Sequence, residues 1–204
     1  MTNPATVMAL APVIPVIVID DVAQARPLAE ALVAGGLYAL EVTLRTPAAL
    51  DAIAEMAKVE GAMVGAGTVL NEAQLAGAIA AGARFVVSPG LTAPLAKAAI
   101  RANIPFLPGV ATASDIMRGL DLGLDRFKFF PAEASGGIAA LKALAAPFHQ
   151  IRFCPTGGIT AASAADWLAI PQVACVGGSW MAPRGPLDAA AVTAAARAAA
   201  ALAQ

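Results

Sequence analysis

The stretch DRFKFFPAE, Asp125 to Glu133, sets a lysine between phenylalanines, and LEVTLR, Leu40 to Arg45, alternates apolar residues with Glu41, Thr43 and Arg45. A strand turns successive side chains to opposite faces, so Lys128 shares a face with Phe130, and Glu41 shares one with Thr43 and Arg45. Lys58, Lys97 and Lys142 fall in amphipathic helical segments, where exposure to water explains them. Lys128 has no such explanation. An amine kept from water, with a guanidinium nearby, is disfavoured as an ammonium and becomes a nucleophile toward ketones. The resulting iminium is an electron sink for breaking a bond to the neighbouring carbon. Glu41 is then the candidate proton carrier, and Arg45 the candidate partner of a substrate carboxylate. The plainer reading is an ion network in which Lys128 pairs with Glu41 or snorkels to a rim.

These side chains need elements that hold them together. Eight short β-branched or aromatic runs recur: VIPVIVI from Val13, YALEVTL from Tyr38, AMVGAGT from Ala62, RFVVS from Arg84, IPFL from Ile104, RFKFF from Arg126, IRFCPT from Ile151 and VACVGG from Val173. Ala- and Leu-rich segments of helical period separate them, several stopping at Gly or Asn. Strict alternation of strand and helix requires a parallel sheet, and eight units are the number that closes a (β/α)8 TIM barrel. An open doubly wound sheet is the competitor, but no G-x-G-x-x-G follows the first strand. The reading is therefore one barrel domain over residues 1–204, with residues 1–12 as a short N-terminal cap and Pro186 to Gln204 as the last helix. Both faces of such a sheet are covered, so Glu41, Thr43, Arg45 and Lys128 are expected inside the barrel, near its C-terminal mouth.

The turns after the strands add a second set of residues. GAGTVL places Thr68 after the third run, where its hydroxyl can meet an anion. CPTGGIT and VGGSW follow the seventh and eighth, the place where barrels bind phosphate on glycine amides. That makes Gly157, Gly158, Gly178 and Ser179 candidate phosphate contacts. VVSPG and LPGVAT read as Pro-Gly turns ending the fourth and fifth strands, with Pro89 a wall of the pocket. Cys154 and Cys175 read as reduced, buried thiols, His149 as a surface or capping residue, and Trp167 and Trp180 as packing or subunit contacts.

Composition narrows the function classes. Hydrophobic residues make up 59% of the 204 and charged ones 13%, yet Pro, Gly or charge interrupts every apolar run before the roughly 18 residues of a membrane span. The net charge of -1 leaves no basic stripe for nucleic acid. With His149 the only histidine and no C-x-x-C spacing, a metal site is not expected. MTNPATVMAL lacks a basic leader and cleavage site, so the expected location is the cytoplasm.

Taken in order and spacing, EVTLRT, GAGTVL, SPGL, FKFFPAE and CPTGGI closely resemble the bacterial 2-dehydro-3-deoxy-6-phosphogluconate (KDPG) and 4-hydroxy-2-oxoglutarate (KHG) aldolases, over nearly the whole chain. The resemblance implies a class I, cofactor-free aldehyde-lyase of the Entner-Doudoroff route, built as a homotrimer of barrels. Such enzymes cleave KDPG to pyruvate and glyceraldehyde 3-phosphate, and many also act on 4-hydroxy-2-oxoglutarate. Motif by motif, it implies Lys128 as the Schiff-base lysine and Glu41 as acid and base, with Arg45 and Thr68 on the pyruvate carboxylate. Pro89 and Phe130 line the pocket, Thr156 meets the middle of the substrate, and the two Gly-rich turns take the phosphate. Related galactonate-derived aldolases carry an apolar residue where Thr156 stands, so the threonine favours the gluconate-derived substrate. Some relatives have an arginine near the end of the first strand, where this chain has Val18, Asp20 and Asp21. The alternatives are the galactonate aldolase, a phosphate-binding barrel isomerase or epimerase using Glu41 as base, and a non-enzymatic small-molecule binding barrel.

Overall fold

The computed structural model describes residues 3–202. The expected N-terminal cap and last helix each run past this span, and residues 1, 2, 203 and 204 lie outside it. The strands are β1 (Val13–Ile17), β2 (Ala39–Thr43), β3 (Met63–Gly67), β4 (Phe85–Ser88), β5 (Phe106–Val110), β6 (Arg126–Phe129), β7 (Arg152–Pro155) and β8 (Val176–Gly178). All pair in parallel, in the order β7-β6-β5-β4-β3-β2-β1-β8. Single bridges from Phe153 to Val173 and from Thr156 to Gly177 bring the two ends of that order together. The result is the expected (β/α)8 barrel.

Helix α1 (Pro4–Met8) precedes the barrel, and each strand is followed by a helix: α2 (Ala25–Ala34), α3 (Ala49–Met56), α4 (Glu72–Ala80), α5 (Ala93–Arg101), α6 (Ala113–Asp121), α7 (Gly137–Ala145), α8 (Ala164–Leu168) and α9 (Ala189–Ala200). Their starts follow local chemistry. Asn71 and Asp188 accept backbone N–H bonds at α4 and α9, and Thr112 and Asp115 form a reciprocal capping box at α6. Asp188 thus sets the start of α9 at Ala189, three residues past the Pro186 expected from sequence. Among the described residues no helix is long and apolar enough to cross a membrane.

Side-chain alternation sorts the core into two layers, as the barrel requires. Outside the sheet, Leu40, Val42, Phe127 and Phe129 pack against the helices. Inside, Ile14, Ala39, Phe85, Val87, Leu107, Cys154 and Cys175 fill the lower barrel, and Val7 and Met8 of α1 close its N-terminal end. The mouth is therefore the one end left for polar groups.

One turn assignment is corrected. Pro89 and Gly90 do follow β4, but Pro108 and Gly109 lie within β5 rather than ending it. A proline removes one donor from a ladder, and Gly109 and Val110 continue the pairing with Lys128 and Phe129.

Met8 is only 1% exposed, so truncating it opens a cavity under the barrel floor. Met8→Ala is expected to cost about 2–5 kcal/mol in urea unfolding while leaving the mouth unchanged. A cost below about 1 kcal/mol would show that α1 is not part of the core.

Candidate active site

Lys128 and Glu41 meet across the barrel interior. The lysine Nζ donates to Glu41 Oε1 at 3.0 Å and lies 3.4 Å from Oε2. Both side chains are about 95% buried. Lys128 is flanked on the sheet by Gly109 and Cys154, and Glu41 by Val16 and Gly65, so rigid strands fix both. The Phe130 ring lies over the ammonium, its centroid 5.3 Å from Nζ. The inward parity of Lys128 and Glu41 expected from sequence holds.

Arg45 does not belong to this buried group. Beyond Thr43 the chain leaves the strand, and the Arg45 N–H turns back to the Thr43 carbonyl at 2.8 Å. Alternation stops there, and the side chain is exposed at the mouth. The guanidinium placed beside the amine by sequence is instead a rim group, its Nε donating to Thr68 Oγ1 at 3.2 Å. Thr68 itself has φ of 59°, a left-handed conformation unusual for a β-branched residue. Strain of this kind costs on the order of 1–3 kcal/mol and marks a position held by its surroundings.

Two cavities open at the mouth, with Phe130 as a wall of each. One, about 340 Å³, is lined by Arg45 and Thr156 together with Gly157, Gly158, Gly178 and Ser179. The other, about 370 Å³, is lined by Pro89. Pro89 is thus in the mouth but across Phe130 from the glycine turns. Gly157 and Gly158 hold φ of 105° and 83°, and this turn is pinned by the segment after β6. Ala132 N–H donates to Thr156 O and Glu133 N–H to Gly157 O, while the Glu133 carboxylate accepts from Trp167 Nε1 at 3.1 Å. The backbone N–H groups of Gly157, Gly158 and Ser179 donate to no acceptor among the described residues. They are free for an anion.

Sequence reasoning missed the residues that make room. A Cβ on Gly67 would lie 2.3 Å from Glu41 Oε1, and one on Gly177 would lie 2.3 Å from Thr156 Oγ1. GAGTVL and VGGSW carry these glycines, but a sequence does not say whose side chains fill the space they leave. Also missed were Glu133, which braces the glycine turn, and Arg184, which reaches the 340 Å³ cavity from the loop after β8.

Other expectations hold. Trp167 is fully buried, its ring 6.3 Å from that of Phe129, Trp180 covers Gly178, and His149 is exposed. Cys154 and Cys175 are free, buried thiols. A hydrogen bond with Cys154, then burial, push the Cys175 thiol well above its ordinary range, which keeps it protonated.

Gly67→Ala is expected to drive the Glu41 carboxylate off Lys128 and to cost about 1–3 kcal/mol by overpacking. Adding Glu41→Asp, one methylene shorter, should recover part of that loss. Strict additivity of the two changes in urea unfolding would refute the contact.

The family model for KDPG and KHG aldolases matches residues 5–197. A 2-dehydro-3-deoxy-phosphogluconate aldolase of Zymomonas mobilis is 62% identical over 94% of this chain and 92% of its own length. A KHG/KDPG aldolase of Escherichia coli K12 is 56% identical over 92% of this chain and 89% of its own. Among solved structures, the Zymomonas mobilis ZM4 2-keto-3-deoxy-6-phosphogluconate aldolase with 3-phosphoglycerate superposes with a TM-score of 0.98 at 60% identity, covering 100% of this chain and 98% of that one. The KDPG aldolase of Legionella pneumophila, with pyruvate captured as a covalent carbinolamine intermediate, gives 0.95 at 47% identity, covering 98% and 99%. With a family model and relatives that span nearly its whole length, the chain belongs to the KDPG and KHG aldolase family.

Proposed function

We propose that this protein is a class I aldolase that cleaves KDPG to pyruvate and D-glyceraldehyde 3-phosphate, and that also accepts 4-hydroxy-2-oxoglutarate. The observation that carries the reading is the buried Lys128–Glu41 contact of 3.0 Å at the floor of the mouth. At that distance the carboxylate can take a proton from the ammonium and release a neutral amine. The Nζ lone pair adds to the C2 carbonyl carbon, and the proton that the nitrogen sheds passes to the oxygen to give a carbinolamine. Glu41 protonates the departing hydroxyl, which leaves as water as the C=N bond forms. Glu41 then removes the C4 hydroxyl proton, the C3–C4 bond breaks, and its electrons flow into the iminium. The products of that step are glyceraldehyde 3-phosphate and an enamine on Lys128. Glu41 returns its proton to the enamine at C3. Water adds at C2 of the resulting iminium while Glu41 takes up the released proton. The C–N bond of the carbinolamine then breaks as its hydroxyl proton passes to nitrogen, giving pyruvate and the Lys128 amine. Lysine supplies the electron sink, so the reaction calls for no cofactor.

The mouth supplies orientation. Arg45, tied to Thr68, takes the substrate carboxylate, and Thr156 meets the middle of the chain. Gly157, Gly158, Gly178 and Ser179 take the phosphate, and Phe130 and Pro89 shape the pocket. The hydroxyl of Thr156 favours the gluconate-derived substrate over its galactonate isomer. The same reading makes residues 1–204 one catalytic domain working in the cytoplasm as a homotrimer.

The test is incubation with pyruvate, borohydride reduction and peptide mapping by mass spectrometry. The expected adduct is on Lys128; an isomerase using only Glu41 as base, or a binding barrel, would give none. Lys128→Met should lower turnover by roughly 10⁴-fold or more. Because it leaves Glu41 buried without its partner, at a cost of about 3–5 kcal/mol, Lys128→Met/Glu41→Gln serves as the folded control. Wild-type turnover by Lys128→Met would overturn the mechanism.

A further inference from the structure

The proposed phosphate subsite, on which the following inference rests, presents mostly neutral donors. Gly157, Gly158 and Ser179 offer backbone N–H groups, while a phosphate ester carries a charge of about -1.5 to -2 at neutral pH. Arg45 lines the same cavity, but its Nε is engaged by Thr68 toward the carboxylate end. A second guanidinium also lines it, that of Arg184.

Arg184 is held in place from the far side of the barrel closure. Its Nε lies 3.0 Å from Asp20 Oδ2, and its Nη2 lies 2.7 Å and 2.8 Å from Oδ1 and Oδ2. This fork joins the loop after β1 to the loop after β8, so it spans the two strands that meet beside the cavity. Nη1 makes no hydrogen bond among the described residues. The pair is more than half exposed, and ion pairs of that kind add little to stability. What a two-point contact does supply is a fixed orientation, with one edge of the guanidinium spent on Asp20 and the other open.

We infer that Arg184, oriented by Asp20, is a specificity-determining residue that selects substrates ending in phosphate. Asp20 is a positioning residue: it holds the fork so that Nη1 faces an oxyanion seated on the glycine turns. The chain lacks an arginine near the end of its first strand, and places there the acid that fixes an arginine from the last loop.

The experiment compares KDPG with the same keto acid lacking its phosphate, 2-dehydro-3-deoxygluconate, in wild type, Arg184→Ala and Asp20→Ala. Arg184→Ala is expected to lower kcat/KM for KDPG by about 10- to 100-fold, chiefly through KM, and to change kcat/KM for the unphosphorylated substrate less than twofold. Asp20→Ala should raise KM for KDPG by a smaller factor, since the cation remains but its orientation is lost. Equal losses on both substrates, or no loss on either, would overturn the inference. Inorganic phosphate gives a readout that does not need turnover: its Kd, from a ³¹P NMR titration, should rise about 10-fold in Arg184→Ala. Failure of wild type to form the pyruvate adduct on Lys128 would sink the aldolase reading alone, and an unchanged phosphate Kd would sink this one.

Discussion

The buried contact between Lys128 and Glu41 is the constraint around which the molecule is arranged. Taking two charges out of water costs several kcal/mol per ion, and only close geometry offsets it. The backbone must hold two such groups 3.0 Å apart and away from water. Strands β2 and β6 can, because each is clamped by neighbours on both sides and by apolar side chains on its outer face. The apolar plug beneath, from Met8 and Val7 up to Cys154 and Cys175, closes the N-terminal end of the barrel. Phe130, over the lysine, lines the two cavities at the mouth.

Crowding follows from the same arrangement. Side chains converge at the C-terminal ends of the strands, and room for them comes from residues with no side chain. Gly67 yields to Glu41 and Gly177 to Thr156, so two polar groups that face the mouth each occupy space vacated on the adjoining strand. Thr68 bears the opposite burden, since it keeps a side chain in a conformation suited to glycine. Its hydroxyl is what holds Arg45, and a glycine there would relax the backbone and release the guanidinium. Stability and the order of the mouth are in opposition at this residue.

What the sequence made legible depends on whether a regular period governed the residue. Parity placed Glu41 and Lys128 correctly because both lie within strands covered on two faces, where a polar side chain has nowhere to go but inward. Arg45 was placed too deep because alternation was carried two residues past the end of β2, into a turn that has no period. The Pro108-Gly109 pair misled for the opposite reason: local turn chemistry was overruled by a ladder already fixed on both neighbours. Gly67 and Gly177 stood in plain view, but a glycine does not say whose atoms fill its space. The Arg184–Asp20 fork was beyond reach altogether, since it joins residues 164 apart through two loops.

The division between floor and rim also settles a problem of charge. A buried site tolerates a pair but not a lone ion, so a reaction there must not leave net charge behind. Under the proposed chemistry the ammonium of Lys128 gives way to an iminium on the same nitrogen, again a cation, facing the same carboxylate. When bond cleavage turns the iminium into a neutral enamine, Glu41 has just taken the hydroxyl proton, and both partners are neutral together. The floor therefore alternates between a matched ion pair and a matched neutral pair. The same proposal leaves the substrate's own anions, the carboxylate and the phosphate, to guanidinium and amide groups at the rim, where water still reaches. Arg45 outside the barrel is then better placed than Arg45 inside it: a second buried cation would break the match on which the floor depends.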